Sequence, residues 1–321
     1  MIVAERLSKR FGNFTAVKEV SFEVARGKRL VLLGTSGSGK TTTLKMLNRL
    51  IEPSSGIIRI NGKDILAQSA VELRRNIGYV IQRIGLFPHY TVAENISVVP
   101  RLLHWEKEKT TAEMAALLEK LRLAPDEVLT KYPHQLSGGQ RQRVGLARAL
   151  ITSPEIILMD EPFGALDPIT RESIRKELLE LDVLRDKTLV MVTHDLEEAF
   201  EWGHQIMVMD HGECIQKGTP AELLFQPANE FISSFMGHHR FQLELVVVTL
   251  TDLLGFLPTS QEDKIENDLS PSDNIRDVLR RFYQGKNILT ARKGNIVYSF
   301  TKLQLWKAFQ EFTGTLQEVP S

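Results

Sequence analysis

The sequence contains little cysteine, no net charge and no long apolar run. Its 321 residues include one cysteine, Cys214, so an internal disulfide is impossible and a disulfide-stapled secreted fold is excluded. Forty Lys and Arg balance forty Asp and Glu, which leaves no overall basic field for nucleic acid or an anionic membrane. No run approaches ~18 apolar residues, and residues 1–14 lack the apolar core of a signal peptide. We therefore expect a chain that is neither exported nor membrane-spanning.

The residues that are present predict an α/β protein. Hydrophobic residues make up 42% and charged residues 25% of the chain, a mix typical of globular proteins. Apolar runs at 30–33, 156–159 and 188–193 read as buried strands, and helical patterns separate them. This alternation predicts a mostly parallel sheet. Residues 71–150 are predicted to be mostly helical, with a helical insertion at about 86–150.

Shorter signals flank this core. Residues 2–4 and 20–24 read as short strands. Asn61-Gly62 and His211-Gly212 each lie between strand-like segments and predict hairpin turns.

A glycine-rich loop at residues 34–42 satisfies the pattern G-x-x-x-x-G-K-[ST]. It follows an apolar strand and opens a helix. Glycines let successive backbone N–H groups turn inward around phosphate oxygens, and the helix N-terminus adds its positive dipole. Lys40 supplies charge for the β- and γ-phosphates, and the Thr41 hydroxyl can ligate Mg²⁺. The loop therefore predicts a nucleotide phosphate site.

Two acidic residues end the apolar strand at 156–159. In a P-loop enzyme a carboxylate on a neighbouring strand assists the metal, which suits Asp160. Glu161 is then free to orient or deprotonate the attacking water.

A second anion site is predicted at Ser137, Gly138, Gly139 and Gln140. Ser137 can cap the helix that follows, and the two glycines expose N–H groups at its positive end. With Leu136, this stretch resembles the signature motif of ATP-binding cassette (ABC) ATPases. The resemblance covers residues 1 to about 237. It implies a RecA-like P-loop core with an antiparallel β region and a helical subdomain, and a head-to-tail homodimer sharing two ATP sites.

Further positions match the family pattern residue by residue. By resemblance, Phe11 stacks on adenine, Gln82 contacts Mg²⁺ and the attacking water, and His194 contacts the γ-phosphate and Glu161. Asp167 belongs to the D-loop. The metal ligands implied are Thr41, Gln82 and Asp160. The ATP contacts implied are Phe11, Gly34, Thr35, Ser36, Gly37, Ser38, Gly39, Lys40, Thr41 and Thr42, with the signature residues facing ATP on the second copy.

Residues 77–105 and 131–135 resemble the importer subfamily for quaternary-amine osmoprotectants such as glycine betaine, choline and proline betaine. That resemblance implies separate membrane permease subunits, a solute-binding protein and a place at the cytoplasmic face of the membrane. Phe87, Pro88 and Tyr90 are the expected permease contacts, and Arg83 departs from the usual residue beside them. An importer for an amino acid or a polyamine is the alternative. A soluble ABC ATPase without a transport role fits less well.

Composition changes after Gly237, so we expect a cassette domain at 1–237 and a small α+β appendage at 238–321. Residues 260–273 are polar and predict a surface loop. Beyond it, helix, strand, strand and helix patterns follow one another and resemble one divergent CBS-type unit. A regulatory module, a dimer-stabilising segment and an unrecognised domain remain the alternatives.

Overall fold

The computed structural model describes residues 1–82, 85–164, 166–260 and 269–317. The chain divides into two compact units, Met1–Lys217 and Gly218–Ser321. The boundary expected from composition lies after Gly237. Segment 218–237 is therefore assigned to the cassette by composition but to the second compact unit by the structure. Phe225 of that segment packs against the apolar core of the second unit.

Thirteen strands and sixteen α-helices are found among the described residues. The strands are β1 (Ile2–Phe11), β2 (Phe14–Val24), β3 (Arg29–Gly34), β4 (Ser55–Ile60), β5 (Lys63–Asp64), β6 (Ile77–Val80), β7 (Ile156–Asp160), β8 (Thr188–Thr193), β9 (Gln205–Asp210), β10 (Glu213–Gly218), β11 (Thr259–Ser260), β12 (Ile288–Lys293) and β13 (Ile296–Thr301). The helices are α1 (Lys40–Leu47), α2 (Ala70–Arg75), α3 (Val92–Ile96), α4 (Val98–Leu102), α5 (Lys107–Lys120), α6 (Pro125–Val128), α7 (Gly138–Leu150), α8 (Pro168–Leu179), α9 (Asp182–Arg185), α10 (Leu196–Trp202), α11 (Pro220–Phe225), α12 (Glu230–Met236), α13 (Arg240–Val247), α14 (Leu250–Leu253), α15 (Ile275–Tyr283) and α16 (Lys302–Gln317).

The central sheet of the first unit has the order β10-β9-β3-β8-β7-β6. Within it β3 runs parallel to β8 and β9, and β7 runs parallel to β6 and β8. Every residue of β7 and β8 is buried, as expected for parallel strands covered on both faces. The predicted parallel core is confirmed. Because the strands are parallel, the carboxyl ends of β3, β7 and β8 lie at one edge, where ligands bind in such sheets.

One segment within the stretch predicted to be mostly helical is a strand, namely β6. Its four residues are too short to show a strand period, and Gly78 allows close packing. A Cβ at Gly78 would lie 2.6 Å from the carbonyl oxygen of Ala149 in α7. The strand is therefore specified by packing rather than by its own sequence pattern.

The second sheet of this unit is antiparallel, in the order β2-β1-β4-β5. Strands β1 and β2 extend well beyond the short segments predicted at 2–4 and 20–24. Register shifts in their pairing interrupt the alternation of apolar and polar residues, and such bulges hide a strand from pattern analysis. The predicted turn at Asn61-Gly62 is confirmed, with φ values of 51° and 78°.

The second unit has a three-stranded sheet in the order β11-β13-β12. The predicted helix, strand, strand and helix are confirmed as α15, β12, β13 and α16. Residues 261–268 of the predicted surface loop lie outside the described residues. Across the described part of the chain, no helix combines the length and apolarity needed to cross a bilayer.

Candidate nucleotide site

The 34–42 loop joins β3 to α1, and its shape depends on glycine. Gly34 has φ 154°, and a Cβ there would lie 2.0 Å from the carbonyl oxygen of Met209. Gly39 has φ 97°, and a Cβ there would lie 2.4 Å from the carbonyl oxygen of Ala16. Any side chain at either position would collide with the backbone. The loop therefore has the tight, amide-lined form that suits phosphate.

Lys40 begins α1 and is 5% exposed. Its Nζ donates hydrogen bonds to the carbonyl oxygens of Gly34 at 2.9 Å and Thr35 at 2.6 Å, and to Ser38 Oγ at 3.3 Å. Burial lowers the pKa of Lys40, and the neighbouring carboxylates of Glu161 and Asp160 oppose that shift. The ammonium group is thus held within the loop.

The other predicted loop residues lie around this lysine. Thr35 Oγ1 donates to Asp210 Oδ1 at 3.0 Å, which ties the loop to the end of β9. Ser36 and Gly37 are exposed, Ser38 is buried, and Thr42 lies in the first turn of α1.

Thr41 and Asp160 form the candidate metal ligands. Thr41 Oγ1 donates to Asp160 Oδ1 at 2.9 Å. Burial raises the pKa of Asp160, whereas the Thr41 hydrogen bond lowers it. Burial and the negative charge of Asp160 together raise the pKa of Tyr79 in β6. A hydroxyl and a carboxylate are the oxygen donors that Mg²⁺ prefers.

Thr41 and Asp160 fit a Mg²⁺ that also binds substrate phosphates. No cluster of three or more His, Cys, Asp or Glu suited to a metal is found among the described residues. Mg²⁺ usually takes one or two carboxylates and completes its shell with phosphates and water.

Glu161 follows β7 and lies at the centre of the candidate hydrolytic group. Its Oε2 accepts a hydrogen bond from Gln82 Nε2 at 2.8 Å, and its Oε1 lies 3.5 Å from His194 Nδ1. Its backbone has φ 45°, a left-handed conformation that costs free energy in a residue other than glycine. A hydrogen bond from its N–H to the carbonyl oxygen of Val192 at 3.0 Å holds it there. The structure therefore brings together the three residues that the family resemblance assigned to hydrolysis.

Glu198 is a buried residue of this region that the sequence analysis missed. Thr193 Oγ1, next to His194, donates to Glu198 Oε2 at 2.5 Å and accepts a hydrogen bond from the Asp195 N–H at 3.0 Å. Glu198 is 3% exposed, and burial raises its pKa to about 7. In sequence it looks like an ordinary acidic residue in the first turn of a capped helix. Only the fold shows its burial.

We expect Glu198→Gln to change the pH dependence of stability. The folded-state pKa of about 7 lies above the usual 4.5. The contribution of Glu198 to the free energy of unfolding is therefore fully present below pH 4.5 and is lost as pH rises towards 7. The loss is at most about 3 kcal/mol at 1.36 kcal/mol per pKa unit. Urea unfolding measures the free energy of unfolding of both proteins. The value for Glu198→Gln minus that for the unsubstituted protein should be larger at pH 8 than at pH 5. Glu113→Gln, an exposed change on α5, is the control, and an equal effect of Glu198→Gln at both pH values would contradict the prediction.

The signature residues form a capping box at the start of α7. Ser137 Oγ accepts from the Gln140 N–H at 3.2 Å, and Gln140 Oε1 accepts from the Ser137 N–H at 2.9 Å. Gly138 and Gly139 lie between them in the first turn. Asp167 caps α8 by accepting from the Thr170 N–H at 3.0 Å, and hydrogen bonds from Thr170 lower the pKa of Asp167.

An open cavity of about 660 Å³ is lined by the signature residues and Asp167. Its described lining includes no residue of the 34–42 loop. Within one chain the structure therefore presents two separate groups of predicted nucleotide contacts.

The predicted aromatic contacts are exposed. Phe11, the expected adenine platform, is 47% exposed at the end of β1, with Lys9 Nζ 5.1 Å from its ring centroid. Phe87 and Tyr90 are 48% and 41% exposed, and their ring centroids lie 5.2 Å apart. Pro88, which follows Phe87 in the chain, is exposed as well. Arg83, the departure noted beside this surface, lies outside the described residues.

This fold and loop geometry define the class of P-loop nucleotide-binding proteins. Residues 17–164 match the model of the ABC transporter family. The chain is 44% identical to the glycine betaine uptake system ATP-binding protein of Escherichia coli over 88% of its own length and 90% of that protein. We therefore conclude that the chain belongs to the ATP-binding proteins of ABC transporters.

Other similar proteins agree with this family. The glycine betaine/carnitine/choline transport ATP-binding protein of Bacillus subtilis is 52% identical over 75% of this chain, and the match spans 63% of that relative. A bacterial ABC transporter cassette solved as a dimer is 33% identical, with a TM-score of 0.61, over 68% of this chain and 98% of the cassette.

Proposed function

We propose that this chain is the ATP-hydrolysing subunit of an importer for a quaternary-amine osmoprotectant such as glycine betaine, choline or proline betaine. The observation that carries the ATPase role is the Glu161 carboxylate held between Gln82 and His194. The named activities of the similar bacterial proteins support the solute class.

The proposed chemistry is attack of water on the γ-phosphorus of ATP, with cleavage of the bond to the bridging oxygen and release of ADP. Negative charge grows on the phosphate oxygens of the leaving ADP as this bond breaks. Lys40 and the loop amides neutralise that charge. Glu161 accepts the proton of the attacking water, and Gln82 and His194 fix the position of that carboxylate. His194 also contacts the γ-phosphate.

Thr41, Asp160 and Gln82 are the proposed Mg²⁺ ligands. When bound, the ion neutralises charge on the β- and γ-phosphate oxygens. The hydrogen bond between Thr41 and Asp160 keeps these two oxygen donors side by side.

The proposed active assembly is a head-to-tail homodimer. Ser137 and Gly138 at the start of α7 offer a capped, positive helix end to ATP on the second copy. The separation of this surface from the 34–42 loop within one chain, and the likeness to a cassette solved as a dimer, support that arrangement.

The proposed partners outside the dimer are permease subunits in the membrane and a solute-binding protein. The exposed rings of Phe87 and Tyr90, with Pro88, offer an apolar surface close in sequence to Gln82. A permease helix on that surface would be coupled to the hydrolytic site. This assembly would place the chain at the cytoplasmic face of the membrane.

Residues 238–321 are proposed to be a regulatory or dimerisation segment. The observation in favour is that this part of the chain contains a separate apolar core, built around Leu250, Ile275 and Phe300, and so packs as a module. The CBS-type resemblance motivates the regulatory reading.

The proposed function is tested by uptake of labelled glycine betaine, choline and proline betaine at low and high osmolarity. The host strain lacks this chain and other importers of these solutes, and is restored with the unsubstituted chain or with Glu161→Gln. We expect only the unsubstituted chain to restore uptake, with a salt dependence that reports on residues 238–321. If the strain restored with the unsubstituted chain takes up all three solutes no faster than the strain that lacks it, the ATPase would be assigned to another solute, such as an amino acid or a polyamine.

A further inference from the structure

The exposed aromatic surface belongs to a backbone segment, residues 85–91, that a buried asparagine holds in place. Asn95 in α3 is fully buried. Its Oδ1 accepts from the Phe87 N–H at 2.8 Å, and its Nδ2 donates to the carbonyl oxygens of Phe87, Tyr90 and Thr91 at 3.0–3.1 Å. The side chain satisfies the Phe87 N–H and the Tyr90 carbonyl oxygen. The carbonyl oxygens of Phe87 and Thr91 also accept from backbone N–H groups, so the side chain adds to the turn and helix hydrogen bonds there. The 85–91 segment therefore has one defined shape despite its exposure.

A second attachment joins this segment to α7. One terminal nitrogen of Arg148 donates to the carbonyl oxygen of Gly85 at 2.6 Å, and its Cζ lies 5.9 Å from the ring centroid of Phe87. A charged donor strengthens such a hydrogen bond, and a planar guanidinium can stack on an aromatic ring at the same time.

The carbonyl that Arg148 contacts is set by glycine geometry. Gly85 has φ 52°, and a Cβ there would lie 1.8 Å from Ile81 Cδ1. A residue with a side chain would be strained at this φ, and the Ile81 side chain would have to move to make room for it. Glycine therefore suits the backbone conformation from which this carbonyl oxygen contacts Arg148.

Arg148 and the signature motif lie at opposite ends of one helix. Helix α7 begins at Gly138, directly after the cap residue Ser137. Gly138 and Arg148 are ten positions apart, which corresponds to about 15 Å at 1.5 Å per residue. A helix with a buried face is a rigid element, so a shift at one end is carried to the other.

We propose that Arg148 is a positioning residue that fastens the 85–91 segment to the signature helix, so that the two move together when nucleotide binds. The inference rests on the proposed function for the identity of what docks on the segment and for the contact of the signature residues with nucleotide. The mechanical link itself depends on contacts within this chain.

Hydrogen exchange of the full chain, with and without a non-hydrolysable ATP analogue and Mg²⁺, tests this link. In the unsubstituted protein we expect the analogue to slow exchange about tenfold at the signature residues and at residues 85–91, the scale of one charge-assisted hydrogen bond. In Arg148→Met, protection should remain at the signature and disappear from 85–91. Arg148→Lys retains a donor without the planar stack and should recover part of the protection.

Arg101→Met, which removes an exposed arginine of α4, is the matched control and should behave as the unsubstituted protein does. Equal protection of 85–91 in Arg148→Met, or no protection of 85–91 in the unsubstituted protein, would overturn the proposal. Loss of protection at both sites in Arg148→Met would also overturn it, because Arg148 would then act on nucleotide binding itself. If Arg148→Met fails to fold, Arg148→Lys decides: protection of 85–91 equal to that of the unsubstituted protein would overturn the proposal. Failure of the proposed function would appear separately, as absent uptake with this exchange pattern intact.

Discussion

The change Glu161→Gln is expected to reduce ATP hydrolysis by about 10²–10⁴-fold and to leave ATP binding nearly unchanged. An amide has the shape of the carboxylate but cannot accept the proton of the attacking water. Gln82 Nε2 and His194 Nδ1 now approach the two carboxylate oxygens of Glu161, and the substituted side chain still offers one oxygen. The 34–42 loop, which carries the phosphate contacts, keeps its lysine and its glycines. The variant should therefore separate binding from turnover.

Phosphate release at saturating ATP measures the hydrolysis rate, and equilibrium binding of a fluorescent ATP analogue measures affinity. Glu119→Gln, the same chemical change at an exposed position of α5, is the control and should keep both values. A rate for Glu161→Gln within a few-fold of the unsubstituted protein would remove Glu161 from the proposed chemistry.

The central strands and the phosphate loop could be predicted because each depends on local sequence. Strands β7 and β8 are runs of apolar residues, and the loop depends on glycines at fixed spacing before Lys40. Both signals arise from a few consecutive residues. Such features need no knowledge of which strands are neighbours.

The convergence of Gln82, Glu161 and His194 could not be derived from residue patterns. These residues follow β6, β7 and β8, which adjoin one another in the sheet, and strand order is a tertiary property. The β6 strand itself was missed because four residues are too few to show the two-residue alternation of a strand. Family resemblance grouped the three residues, and the structure supplies the distances that local patterns lack.

Burial of polar groups was equally hidden. Glu198 and Asn95 lie on helices and have the composition of surface residues, yet they are 3% and 0% exposed. Their hydrogen-bond partners are backbone and side-chain groups that loops bring close. The sequence therefore shows no periodic pattern that would identify these two residues as buried. Buried polar residues are satisfied by particular hydrogen bonds, and these bonds are visible only in three dimensions.

The change Lys40→Met is expected to lower the affinity for ATP by about 100-fold, the scale of a lost hydrogen bond to a charged group. Methionine keeps much of the apolar stem but has no charge and no donor. Lys40 Nζ now donates to two carbonyl oxygens of the loop, at 2.6 Å and 2.9 Å. Phosphate oxygens are stronger acceptors because they are negatively charged, so the lysine should turn from these carbonyls to bound nucleotide.

Binding of the fluorescent ATP analogue measures the effect of Lys40→Met, and thermal unfolding checks that the fold is kept. Lys63→Met, at an exposed lysine of β5, is the matched control and should bind normally. Affinity of Lys40→Met within threefold of the unsubstituted protein would show that the loop amides alone hold the phosphates. We expect Glu161→Gln to bind ATP without hydrolysing it. We expect Lys40→Met neither to bind nor to hydrolyse ATP at ordinary ATP concentrations. That contrast would assign phosphate binding to the 34–42 loop and proton acceptance to the end of β7.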